Sequence, residues 1–125
     1  MSDRFVRITE VGPRDGLQNE KQVIAADAKV AFVDLLSEAR FPEIEVSSFV
    51  SPKWVPQLGD AAEVFARIRR RPGTVYSALV PNERGMEGAL AARADKIAVF
   101  AARLVVITIR PVNADAAEIL TQIGS

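Results

Sequence analysis

Val11-Gly12-Pro13-Arg14-Asp15-Gly16-Leu17-Gln18-Asn19-Glu20-Lys21 (VGPRDGLQNEK, residues 11–21) decides the reading of this chain. Glycine and proline bound the segment, which reads as a turn with an Arg and an Asp side by side. A β-type run precedes it, carried by Phe5, Val6, Ile8 and Val11. Ile24, Ala28, Ala31, Phe32, Leu35, Leu36 and Ala39 follow as the apolar stripe of a helix. A strand that passes through a charged loop into a helix is a βα unit. In (β/α) barrels, loops of this kind build the active site.

The rhythm continues outward. Ile44, Val46 and Phe49 alternate with polar residues as a second strand, and Pro52 and Pro56 bracket a loop holding Lys53 and Trp54. Asp60 reads as a helix N-cap with Glu63 completing a capping box. Ala61, Val64, Phe65 and Ile68 form the stripe of the second helix, which stops before Pro72-Gly73. Val75 to Val80 is a third strand. Pro81-Asn82 starts a third helix with Met86, Ala89, Leu90 and Arg93 along one side, and Ile97 to Phe100 is a fourth strand. The βαβαβαβ order predicts an α/β fold, a TIM-barrel-like half barrel with parallel strands, incomplete. Ile8, Val46, Leu79 and Val99 are the expected inner face. Residues 1–100 form this half barrel and residues 101–125 a divergent tail. Leu104 to Ile109 (LVVITI) is β-type, but Ala101 to Arg103 are too short for a parallel crossover. The run therefore pairs antiparallel, extends strand four or lies outside the pattern. Ala116, Ile119, Leu120 and Ile123 suggest a closing short helix.

Composition narrows the chemistry. The chain has 125 residues, half of the ~250 of a complete barrel. Its formal net charge is zero, which offers no field for nucleic acid or an anionic membrane. No apolar run approaches the ~20 residues of a membrane span, and no leader-like segment opens the chain, so a cytoplasmic location is expected. There is no cysteine and no histidine. Thiolate chemistry and the commonest acid/base and metal-ligand side chain are therefore missing.

Three stretches together resemble the N-terminal half of the 3-hydroxy-3-methylglutaryl-CoA lyase family, divalent-metal (β/α)₈ lyases. They are VGPRDGLQNEK (residues 11–21), IEVSSFVSPKWVPQ (44–57) and ALVPNERGMEGAL (78–90). The similarity covers about residues 5–100. The Arg-Asp turn alone is shared with sister aldol-type synthases and carboxyltransferases, whereas the 47–57 loop is specific to the lyase. The resemblance implies cleavage of 3-hydroxy-3-methylglutaryl-CoA, an acyl-CoA of leucine degradation, to acetoacetate and acetyl-CoA.

By this resemblance Asp15 is a metal ligand for Mg²⁺ or Mn²⁺, and an Asp oxygen at a strand end suits such hard cations. Arg14 matches the catalytic arginine, whose fixed charge stabilises an enolate, and Glu45 matches an active-site glutamate. Gln18 and Ser48 match substrate-pocket positions. Each has a plainer alternative: a turn-stabilising Asp15, Arg14 paired with Asp15, Glu43 or Glu45, a solvated Glu45, and loop hydrogen bonds for Gln18 and Ser48. A Glu45 inside a barrel needs a partner such as Arg14. Lys53 and Trp54 read as loop packing, or as contacts to a CoA-type ligand. Arg67, Arg69, Arg70 and Arg71 read as a solvated helix end, and Pro81-Asn82 as a cap. The family's histidine ligands are absent, so the expectation is a truncated chain, inactive alone, its tail from a changed reading frame or a foreign end. The alternatives are a sister enzyme acting on a 2-oxo acid, and a non-catalytic half barrel forming a homo-oligomer through its exposed edges.

Overall fold

A computed structural model describes residues 6–102, 105–110 and 112. The strands are β1 (Thr9–Glu10), β2 (Glu43–Ser48), β3 (Val75–Leu79), β4 (Lys96–Ala102) and β5 (Val105–Ile109), alternating at first with helices α1 (Ala26–Glu38), α2 (Ala61–Arg67) and α3 (Glu83–Ala91). They form one sheet in the order β1-β2-β3-β4-β5. Its first four strands are parallel, with Thr9 opposite Glu43, Glu43 opposite Val75 and Ser77 opposite Lys96. Consecutive neighbours joined through helices are the opening of a (β/α) barrel.

Of the options for LVVITI, the structure adopts antiparallel pairing: Ile97 stands opposite Ile109 and Val99 opposite Ile107. A short connection permits only this, because a parallel return needs a crossover. The predicted helix near Ala116 to Ile123 lies outside the described residues. The first strand is shorter than expected: only Thr9 and Glu10 pair with β2, and Val6, Ile8 and Val11 are exposed. An edge strand has one neighbour to hold it.

One core lies between the helices and the sheet. Val33 of α1, Val64 and Phe65 of α2, and Met86 and Ala89 of α3 cluster with Ile44, Val46, Tyr76, Ala78, Ile97 and Val99 of the strands. Burying side chains of this size contributes roughly 1.5–3 kcal/mol each. Tyr76 keeps its polar end satisfied inside, its hydroxyl lying 2.8 Å from Ser37 Oγ and accepting the Arg71 amide at 2.7 Å. Phe49 stacks on Phe65 with ring centroids 5.6 Å apart. Gly85 and Gly88 let α3 lie against Phe49, for a Cβ on either would come within 2.5 and 2.6 Å of Phe49 atoms.

Three expectations are corrected here. Val46 and Val99 belong to the helix-side core, Ile8 is exposed, and Leu79 is half-buried, so they do not form an apolar inner face. The other face of the sheet is polar: Lys96 Nζ donates to Glu43 at 2.9 Å and Arg7 approaches the same carboxylate at 3.7 Å. On α1 the buried positions are Lys29, Val33 and Ser37, while Ala28, Ala31, Leu35 and Ala39 of the predicted stripe are exposed. At α2 no capping box forms. Asp60 occupies the N-cap without a capping bond, its carboxylate accepting from Lys29 at 2.7 Å, and Glu63 accepts from Arg67 at 2.8 Å.

Candidate functional site

The VGPRDGLQNEK turn is a single wide helical turn, Gly12–Gly16, following β1. The Val11 carbonyl accepts from Arg14 and Asp15 at 3.1 and 2.7 Å. Wide turns of this type are rare and are frequent at functional sites. Glu10 fastens its start, accepting from the Gly12 amide at 3.0 Å. Gly12 leaves room for this contact, since a Cβ would meet the Glu10 carboxylate at 2.8 Å and the Phe32 ring at 3.1 Å.

The turn aims Arg14 across the C-terminal edge of the sheet. Its Nε donates to Glu45 Oε1 of β2, and Nη1 lies 3.4 Å from both Asp15 Oδ1 and Gln18 Oε1. Nη2 makes no hydrogen bond among the described residues. The Arg14 and Glu45 side chains are 18% and 11% exposed, whereas Asp15 is 57% exposed. Two carboxylates thus flank one guanidinium, the inner one firmly bound and the outer one open to solvent. The structure brings Arg14, Asp15 and Glu45 together at one edge, as expected of the loops, and adds Gln18 to them.

Ser48 does not join them. It donates to the Leu79 carbonyl at 3.0 Å and sits on the wall of a separate cleft of about 640 Å³. The register of β2 against β3 shifts between Glu45 and Ser47, so strand alternation cannot be carried from Glu45 to the end of β2. The cleft lies between the loops after β2 and β3, and Ser51, Lys53, Asn82 and Arg84 also line it.

Other predicted positions resolve case by case. Trp54 is 82% exposed, against the packing expected of it. Asn82 caps α3, accepting from the Gly85 amide at 2.9 Å. The arginine run is not simply solvated. Arg67 bonds Glu63 and Asp27, which raise its pKa, while Arg70 donates to the Ala92 carbonyl at 2.7 Å and lies 5.7 Å from the Phe65 ring centroid. Sequence reasoning missed Lys29 and Glu10. A lysine one residue after a stripe position, in a helix otherwise apolar on that side, was the available signal for Lys29.

Asp15 is chemically suited to Mg²⁺ or Mn²⁺, but it offers a single exposed carboxylate. Among the described residues no group of three or more His, Cys, Asp or Glu side chains could hold a metal ion. These residues alone therefore do not make a metal centre.

The parallel α/β sheet, its consecutive strands joined through helices, is part of a (β/α) barrel. A family model described as HMGL-like matches residues 5–124, and the chain belongs to this family. The match runs on past Phe100. The chain is 56% identical over 108 residues to the 3-hydroxy-3-isohexenylglutaryl-CoA/hydroxy-methylglutaryl-CoA lyase of Pseudomonas aeruginosa, covering 86% of this chain and 36% of that protein. It is 49% identical over 108 residues to the mitochondrial hydroxymethylglutaryl-CoA lyase of Homo sapiens, covering 86% of this chain and 33% of the relative. The crystal structure of the Pseudomonas aeruginosa hydroxymethylglutaryl-CoA lyase superposes with a TM-score of 0.74 at 58% identity, over 78% of this chain and 33% of that one. An HMG-CoA lyase from Acinetobacter baumannii, solved with coenzyme A and 3-methylmalate, gives a TM-score of 0.73 at 41% identity over 74% and 30% of the two chains. The chain spans about a third of the length of the relatives it matches. No described helix is long and apolar enough to cross a membrane.

Proposed function

We propose that this chain carries the arginine side of a hydroxymethylglutaryl-CoA lyase site, for carbon–carbon cleavage of 3-hydroxy-3-methylglutaryl-CoA to acetoacetate and acetyl-CoA. The observation that carries this reading is the held guanidinium of Arg14. Glu45 binds Nε and so fixes the plane of the group, while Nη2, without a partner among the described residues, is offered to an incoming oxygen. A guanidinium positioned in this way meets charge developing on an enolate oxygen without rearranging. Gln18 orients the same group from the solvent side, and Ser48 contributes to the pocket from the neighbouring cleft. Asp15 would present one oxygen to Mg²⁺ or Mn²⁺, and no step here depends on it. The acid and base of the reaction are not among these residues, since the chain has no histidine or cysteine. The antiparallel β5 departs from the parallel order of the first four strands, while the family match continues through residue 124. A role in leucine degradation belongs to the same reading.

Alone, the chain is expected not to cleave the substrate above background with either metal, because acid–base catalysis typically contributes about 10²–10⁴ in rate. Metal-dependent turnover that Asp15→Ala abolishes would overturn this. The site itself is tested by grafting residues 5–100 in place of the matching part of the Pseudomonas aeruginosa lyase. The graft is expected to cleave substrate, and Arg14→Met to reduce its kcat by roughly 10²–10³. An active graft indifferent to Arg14→Met excludes the assigned role. The second reading, a non-catalytic self-associating half barrel, draws on the exposed Val6, Ile8, Val23 and Leu35.

A further inference from the structure

The loops after β1 and β2 are joined by a chain of polar contacts that the cleavage chemistry does not require. Lys29 projects from α1 and is only 4% exposed. Its ammonium donates to the Gln57 carbonyl and to Asp60 Oδ1, the latter at 2.7 Å. Gln57 in turn donates through Nε2 to the Glu20 carbonyl at 2.9 Å. Glu20 closes the VGPRDGLQNEK turn region, and residues 49–60 carry the wall of the cleft. A buried ammonium is retained only where acceptors surround it, and this one is spent entirely on the second loop. Asp60 gives up capping α2 to serve it.

The geometry points to Lys29 as a positioning residue, the centre of a Glu20–Gln57–Lys29–Asp60 latch that sets the Arg14 turn against the cleft loop. Without it each connection holds only its own local bonds, and both open more often. The latch goes beyond the proposed function and does not depend on it, because its test reads chain opening in the whole protein and not turnover.

The chain supplies its own reporters. It has four lysines, Lys21, Lys29, Lys53 and Lys96. Lys21 and Lys53 are exposed in the two latched loops, while Lys96 starts β4 and is half-buried. A lysine-specific protease under native conditions therefore reads both loops and, at Lys96, the sheet. Trp54, the single tryptophan, neighbours Lys53 and reports that loop by fluorescence anisotropy. Lys29→Met is expected to raise cleavage at Lys21 and Lys53 together by about tenfold, with Lys96 unchanged, as local opening without global unfolding predicts. Trp54 anisotropy falls in the same variant. Gln57→Ala, which removes only the Glu20 bond, gives a smaller rise at both sites. Asp60→Ala behaves like Lys29→Met, and Asp60→Asn, which keeps an acceptor oxygen, restores protection. A rise at Lys53 alone, a rise at Lys96 in step with the others, or no rise at all overturns the latch.

Discussion

Arg14 and Glu45 are the residues on which the site turns, and their pairing is a matter of burial as much as charge. Both side chains are mostly withdrawn from water, so either one left alone is a poorly solvated ion. Arg14→Met and Glu45→Gln are each expected to cost about 1–3 kcal/mol, and the double variant less than their sum. Urea denaturation of the four proteins measures this, and strict additivity would show that the pair does not interact. Asp15 differs because solvent already screens it, and Asp15→Asn should change stability by no more than about 0.5 kcal/mol. This pair was legible in the sequence, because a carboxylate placed by strand alternation inside a barrel demands a cation. Lys29 was not, because it meets the Gln57 carbonyl and Asp60 through the rotation of α1 against the second loop, which no periodicity specifies.

At the scale of the elements, the helices were placed well and their orientation less well. α3 depends on two glycines. Gly85→Ala would put a methyl group 2.5 Å from the Phe49 carbonyl oxygen, a backbone atom with nowhere to retreat. It should destabilise by roughly 1–3 kcal/mol and lower Tm by several degrees, and an unchanged Tm would contradict the packing. Just past the end of α1, Arg40 is held at φ 64°. The left-handed region costs a side-chain-bearing residue about 1 kcal/mol, so Arg40→Gly should stabilise the chain by up to that amount in the same denaturation measurement. The predicted stripe of α1 was displaced because a barrel helix meets more than one neighbour. Apolar residues therefore surround more of its circumference than the sheet buries.

Among the described residues, the helices cover one side of the sheet. Helices shield the apolar face, while the other carries Glu43 paired with Lys96 and Arg7, and Glu45 paired with Arg14. The polar face resolves the difficulty that an apolar inner surface would create, since paired charges tolerate partial solvation. The edge remains. Val6, Ile8 and Val11 flank a two-residue strand, and Val23 and Leu35 are also exposed. Sheet edges beside exposed apolar residues favour association. Sedimentation across a concentration series is expected to show self-association that Ile8→Lys with Leu35→Lys reverses. A monomer at every concentration would dismiss it.

What the sequence determined by itself was the order of elements, the parallel start of the sheet, and the meeting of Arg14, Asp15 and Glu45 at one edge. Each follows from local pattern: apolar period, turn residues, and the rule that βα loops emerge together. Only the tertiary structure decided which side of α1 is buried, that β5 runs antiparallel, that Ser48 belongs to the neighbouring cleft, and that Asp60 serves Lys29 in place of its own helix. Periodicity specifies the spacing of side chains along an element, but not its rotation against a neighbour. The contact of Lys29 with Asp60 depends on that rotation and so exists only once the chain has folded.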